Sequence, residues 1–244
     1  MAQRWKSTVL RSRVDRHGRW IALLVGLIAI ITLACLSPNS NHHESAPATF
    51  RGKQYWKEGV TLSTTTLYET PFSRFQLHKV KIGSNVINDW LWYDESENVN
   101  VLVQQQDHFL IMEQTKYAIP GPTLAVIGGL VEPGETPLEA AKREVREELG
   151  FQANHWKALG QYVAAANRGG GTTHIFWATD ATPIPQESRN GETAHGELEK
   201  QHLIRLSKAE LLEALLKGKF REIKWTATVA LALLTSGEGQ IHSP

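Results

Sequence analysis

The chain has 244 residues, of which 41% are hydrophobic and 21% charged, so it holds enough apolar side chain for a core and is excluded from the disordered class. Six Lys or Arg stand against Asp15 in residues 1–19, so that stretch is +5, the whole chain is +1 and the remainder carries −4. A mildly acidic body without a basic stripe excludes a nucleic-acid polymer as the expected partner, and the single Cys35 excludes an intramolecular disulfide and a thiolate zinc cluster.

In chain order, residues 1–19 are a basic tail and Trp20 to Ser37 is an eighteen-residue run without a charge. That run exceeds the roughly 7 to 15 residues of a signal-peptide core and approaches the roughly 20 that cross hydrocarbon. It predicts a transmembrane signal anchor, with a cleaved export signal or a lipid-modified Cys35 as alternatives. Thr32 stands where a lipoprotein signal usually has leucine. Basic residues ahead of the run predict a membrane-anchored protein with its N-terminus inside and its body on the far side. Residues 38–49 are polar and proline-bearing and read as a linker; the adjacent His42 and His43 receive no function.

An N-terminal β segment is expected over 50–97 and the main domain over 98–236, followed by a short tail at 237–244. Strand character recurs at Phe75–Ile82, Asp89–Tyr93, Val99–Gln105, His108–Glu113, Gly160–Ala165, His174–Thr179 and Gln201–Leu206. Trp90 and Trp92 alternate onto one face of their strand. The clearest helix is capped by Thr136, with Pro137 in its first position, Glu139 completing a capping box and Gly150 ending it. Leu138, Ala141, Val145 and Leu149 give it one apolar stripe. A second helix follows Ser207, boxed by Glu210, and stops near Gly218; a third covers Trp225 to Leu234. The expected class is α/β or α+β, a mixed sheet sandwiched between helices, with the N-terminal strand segment and membrane helix as additions.

Glu144, Glu147 and Glu148 fall at i, i+3 and i+4 of the first helix, where like charges repel. A hard divalent cation accounts for such a cluster, because magnesium takes carboxylate oxygens together with substrate phosphates. A charged, solvent-facing helix is the bland alternative. The loop in front decides between them. Gly129, Glu135, Arg143, Glu144, Val145, Glu147, Glu148, Gly150 and Phe151 fill every defined position of the pattern Gx5Ex7REUxEExGU, with U apolar. On these residues the chain resembles the Nudix hydrolases, which split phosphoanhydride bonds of nucleoside diphosphate derivatives.

The resemblance implies that Glu144, Glu147 and Glu148 bind magnesium or manganese, joined by the backbone carbonyl of Gly128. It implies that Arg143 and Glu135 brace the loop against the helix, with Gly129 and Gly150 serving the motif's turns. The base that takes the proton of the attacking water is a box glutamate, Glu147 or Glu148, or a glutamate on a later loop. In that loop Glu197 is the candidate base and Glu199 a further metal ligand; both also read as solvated acids.

Similarity to the ADP-ribose pyrophosphatase branch extends over roughly Tyr55 to Leu234. It implies ADP-ribose or an ADP-sugar as substrate, a homodimer paired through the extra N-terminal strands, and an aromatic platform for the base. Trp90 and Trp92 are candidates for that platform, with core packing or a dimer contact as alternatives. Lys116 and Arg168 are candidate phosphate or ribose contacts. The chain departs from the branch at Ala125 and Ile127, where a glutamate and a proline are usual, and at the glycine-rich stretch Asn167–Gly171. Rival readings are another nucleotide-sugar or dinucleotide pyrophosphatase, and a membrane-tethered nucleotide sensor without turnover.

Overall fold

Valine alternating with asparagine explains the central strand. In β4 (Asn98–Gln105), Val99, Val101 and Val103 turn to one face while Asn98, Asn100 and Leu102 turn to the other, and all six are buried. A strand covered on both sides belongs in the middle of a sheet, and β4 lies there. The computed structural model describes residues 49–52, 59–185 and 201–236.

Three strands precede β4: β1 (Thr61–Glu69), β2 (Ser73–Ile82) and β3 (Asn85–Glu95). Six follow it: β5 (His108–Lys116), β6 (Ile119–Ala125), β7 (Ile127–Leu130), β8 (Phe151–Ala165), β9 (Gly169–Pro183) and β10 (Gln201–Ser207). The helices are α1 (Pro137–Glu144), α2 (Lys208–Leu216) and α3 (Ile223–Thr235). The main sheet order is β1-β2-β3-β9-β4-β5-β10, with β6 on β5, β7 on β4 and β8 on β9. It is mixed, because β9 runs parallel to both β3 and β4 while the other pairs are antiparallel. Helices α1 and α3 both pack on β4, giving the layered sheet and helices that the sequence predicts.

All seven predicted strand stretches lie within strands, and β8 and β9 prove longer than expected. The strands β1, β6 and β7 lack clean alternation, and their bounds come from the structure alone. The predicted membrane run and the linker up to Ala48 lie outside the described residues. Among the described residues no helix is long and apolar enough to cross a membrane.

The N-terminal strands are continuous with the main sheet through a narrow seam. Tyr93 and Gly169 are the one register pair of β3 and β9, and Tyr93 N donates to Arg168 O at 2.8 Å. Trp90 Nε1 adds a 2.8 Å bond to Asn167 O. Gly169, Gly170 and Gly171 have φ of +88°, +83° and +72°, and a Cβ on Gly169 would overlap the carbonyl oxygen of Tyr93. Only glycine takes this path without strain. Gly169→Ala is therefore expected to cost about 1–3 kcal/mol from the backbone conformation, before any cost of parting the two strands. Urea denaturation checks it; an unchanged midpoint would show that the seam carries no stability.

Behind the seam, the inner face of the N-terminal strands holds a buried polar network. Arg74 donates to Asp94 Oδ2 from Nε at 3.3 Å and from Nη2 at 2.8 Å, and Trp92 Nε1 donates to Asp94 Oδ1 at 2.8 Å. The Trp92 ring stacks on His78 at 5.2 Å between centroids. Gln76 Nε2 donates to Thr66, so its amide oxygen is left to accept from His78 Nε2 at 3.2 Å. Burial depresses the pKa of His78, opposed by the negative charge of Asp94, so the imidazole is held neutral within the sheet.

Candidate active site

The helix bearing the acidic residues is positioned by its own ends. Thr136 Oγ1 accepts from Glu139 N at 3.3 Å and Glu139 Oε2 accepts from Thr136 N at 2.7 Å, so the capping box is complete. Ala141, Val145 and Leu149 are buried, with Leu138 packed at the margin of the same core. After Glu144 the chain passes into a π-helical turn, Val145–Leu149, which Gly150 ends at φ +68°. Such turns often occur at functional sites. Here it carries Glu147 and Glu148.

The carboxylates border β7. Glu144 is buried, and a Cβ on Gly129 would overlap its Oε1, so the glycine leaves the space that this carboxylate occupies. Glu148 Oε2 accepts from Gly128 N at 3.3 Å, which ties the last helical turn to the same strand. Glu147 is exposed. Arg143 joins these parts. Its Nη2 donates to Glu135 Oε1 at 2.7 Å and to Leu130 O at 2.9 Å, its Nε to Glu135 Oε2 at 3.2 Å, and its Nη1 to Glu144 and Glu147 at 2.7 and 3.1 Å.

Among the described residues no three His, Cys, Asp or Glu side chains gather closely enough to hold a metal ion. The guanidinium of Arg143 bridges Glu144 and Glu147, while Glu148 is turned to Gly128. The donor set nevertheless suits a hard divalent ion: three carboxylates around glycines, with no sulfur or imidazole among them.

Hydrogen bonds from Arg143 hold the Glu135 carboxyl below its ordinary value of 4.5, burial opposing them. The same contacts, that with Glu135 first, keep Arg143 charged. A depressed carboxylate stabilises the fold above its unfolded pKa, and that contribution is lost as pH falls through the folded value. Arg143→Lys keeps the charge but not the fork. It is expected to cost about 1–3 kcal/mol and to flatten the acid limb of stability below pH 4.5. Denaturant melts across acid pH check this; an acid limb unchanged by the substitution would refute the assignment to Glu135.

The remaining sequence candidates are placed as follows. Lys116 is half-buried at the end of β5, and Arg168 is exposed at the β8–β9 tip. Trp92 is engaged by His78 and Asp94, and Trp90 by Asn167. The contacts of Trp90 and Trp92 run to Asn167, Asp94 and His78 within the N-terminal strands and their seam, away from the box helix. Glu197 and Glu199 lie outside the described residues.

Two polar features escaped the sequence reading. Asn98 Oδ1 accepts from Thr173 Oγ1 at 2.9 Å and from Asn100 Nδ2 at 3.2 Å, a buried ladder whose end, Asn100 Oδ1, lies beside Gly128. Its signal was present as polar residues alternating in an apolar run. His174 Nε2 of β9 lies 3.4 Å from Glu97 Oε2 in the β3–β4 connection without a hydrogen bond between them, a juxtaposition that no local pattern announces. A cleft of about 480 Å³ opens between the N-terminal strands and the box loop, lined in part by Arg51, Phe72, Glu97, Glu132 and Glu135.

The helix thus ends in a π turn whose carboxylates sit against two strand glycines, and one arginine ties them to the preceding loop. The NUDIX domain family matches residues 95–229, more than half of the chain, and the protein belongs to that family. It is similar to the ADP compounds hydrolase NudE of Escherichia coli (strain K12), at 27% identity over 146 residues, 59% of this chain and 75% of that protein. A crystal structure of an ADP compounds hydrolase superposes with a TM-score of 0.61 over 78% of this chain and all of that one. At 20% identity the superposition establishes the fold alone.

Proposed function

We propose that the protein hydrolyses an ADP-linked compound, ADP-ribose or an ADP-sugar, to AMP and a phosphorylated remainder. The observation that carries this reading is the seating of Glu144 against Gly129 and of Glu148 on Gly128 N, within a chain similar to an ADP compounds hydrolase. Glu144, Glu147 and Glu148, with the Gly128 carbonyl, would hold magnesium or manganese. A divalent ion held there would supply positive charge against the pyrophosphate oxygens and acidify the attacking water. Arg143 keeps Glu144 and Glu147 oriented through the bonds described above. A box glutamate, or Glu197 from the later loop, accepts the water's proton. The water oxygen then joins one phosphorus, the bridging oxygen leaves with the other, and two monophosphates result.

The test is release of nucleoside monophosphate with magnesium: AMP from ADP-ribose, ADP-glucose and NADH, and UMP from UDP-glucose. AMP from the ADP-linked compounds together with sparing of UDP-glucose is the expected result. Cleavage of UDP-glucose alone would overturn the ADP reading, and tight binding of every compound without products would favour a sensor.

The chain is also proposed to be anchored by its Trp20–Ser37 run and to pair as a homodimer through the N-terminal strands. Their outer face leaves Leu67, Tyr68, Phe75 and Leu91 exposed, which supports a second copy there. Sedimentation equilibrium in detergent reads the stoichiometry, and a monomer at every concentration would dismiss the pairing.

A further inference from the structure

Helices α2 and α3 lie side by side, and the surface they share is unusually apolar for an outer layer. They run in opposite directions: Lys208, at the start of α2, bonds Ser236 just past the end of α3 at 2.9 Å. Ile223, Ala227, Ala230 and Leu234 recur at spacings of four, three and four along α3, on one stripe. On α2, Leu212 and Leu215 flank that stripe, and a groove of about 350 Å³ runs between them, lined by Lys208, Leu212, Leu215, Ala230, Leu233 and Leu234. Large side chains on this surface stand in solvent: Leu216 is 78% exposed, Ile223 74% and Leu234 73%. A helix pair with its buried face already on the sheet has no folding reason to carry a second apolar face.

The rim is basic. From Lys208 to Lys224 there are five Lys or Arg against three Glu. Lys217 is paired with Glu213, and Lys224 with Glu222 at 3.0 Å. Leucines and isoleucine on one face with lysines around them are the composition of helices that lie in the bilayer interface, where lysine stems reach up to the headgroups. The chain itself argues for that occupant. If Trp20–Ser37 is an anchor, the linker Pro38–Ala48 spans at most about 36–40 Å when fully extended. Phe50, the second described residue, packs against Arg74 of β2, and β10, the strand leading into α2, lies five strands away, about 24 Å. A bilayer is thus within reach of the α2–α3 surface by the chain's own tether.

We infer that the α2–α3 surface is a lipid-docking face: Leu212, Leu216, Ile223 and Leu234 enter the interfacial layer of an anionic bilayer while the surrounding lysines meet phosphate headgroups. The inference rests on the anchor proposed above. Docking fixes which side of the hydrolase domain faces the membrane, so it sets the direction from which substrate arrives.

The test uses the full chain in vesicles of phosphatidylcholine with phosphatidylglycerol, in a Cys35→Ala background. A fluorophore is attached through Leu216→Cys or Leu234→Cys, and as a control through Leu62→Cys on β1, the opposite edge of the sheet. Nitroxide-labelled lipid is expected to quench the two helix probes several-fold more than the control, and Leu216→Glu is expected to abolish quenching of the Leu234 probe without releasing the chain from the vesicles. If the chain fails to float with vesicles, the anchor and the docking face fall together. If it floats and the helix probes are quenched no more than the control, the docking face alone falls. Self-quenching that grows with protein density, without quenching by lipid, would assign the surface to a second copy and overturn the inference.

Discussion

Glu148→Gln is expected to lower turnover by about 10²–10³-fold, or about 3–4 kcal/mol of transition-state stabilisation. The glutamine keeps an oxygen that can accept from Gly128 N, so the bond joining the π turn to β7 survives. It keeps the length of the side chain as well. What it loses is the negative charge, and a neutral amide oxygen neither holds a divalent ion firmly nor takes a proton from water. The loss should therefore fall on turnover, with circular dichroism and melting temperature unchanged. Full activity at saturating magnesium would remove Glu148 from the chemistry; a lost fold would assign it a structural role instead.

Asp94→Ala is expected to be the most destabilising of the single substitutions considered. The Asp94 side chain is 1% exposed and accepts from both Arg74 and Trp92, while Arg74 is itself 11% exposed. Removing the carboxylate strands a buried guanidinium, which costs about 3–5 kcal/mol. The lower end applies, because Glu69 Oε2 remains 3.8 Å from Arg74. A fall in Tm on the order of 10 °C should follow in a domain of this size. Asp94→Asn should recover part of it, since the amide oxygen still accepts from Trp92. A melting temperature within a degree or so of the parent would mean that the network contributes nothing.

Arg74, His78, Trp92 and Asp94 show why part of the fold was hidden in the chain. Trp90 and Trp92 alternate visibly, and that alternation placed them correctly on one face. What that face meets depends on Gly169 and Asn167, some eighty residues later, and on a parallel pairing of β3 with β9 that no local pattern encodes. β6 was concealed for a different reason: Pro120, Gly121 and Pro122 argue against a strand, yet its last residues pair with β5. β1 is exposed along most of its length, so burial imposed no alternation on it.

Local chemistry was legible from the sequence alone. Both capping boxes, the apolar stripe of α1, the glycine that ends the π turn and the nine box positions are short-range relations, set by backbone hydrogen bonding and helical period. They define the family and name the acidic residues. Tertiary structure decided what long-range contact alone can decide: that Glu144 is buried in the space a glycine leaves, that Arg143 draws the loop and two carboxylates together, and that the N-terminal strands join the main sheet through a single seam. These depend on which surfaces meet after the chain has closed on itself, and the free energy of that meeting is not written in any one segment.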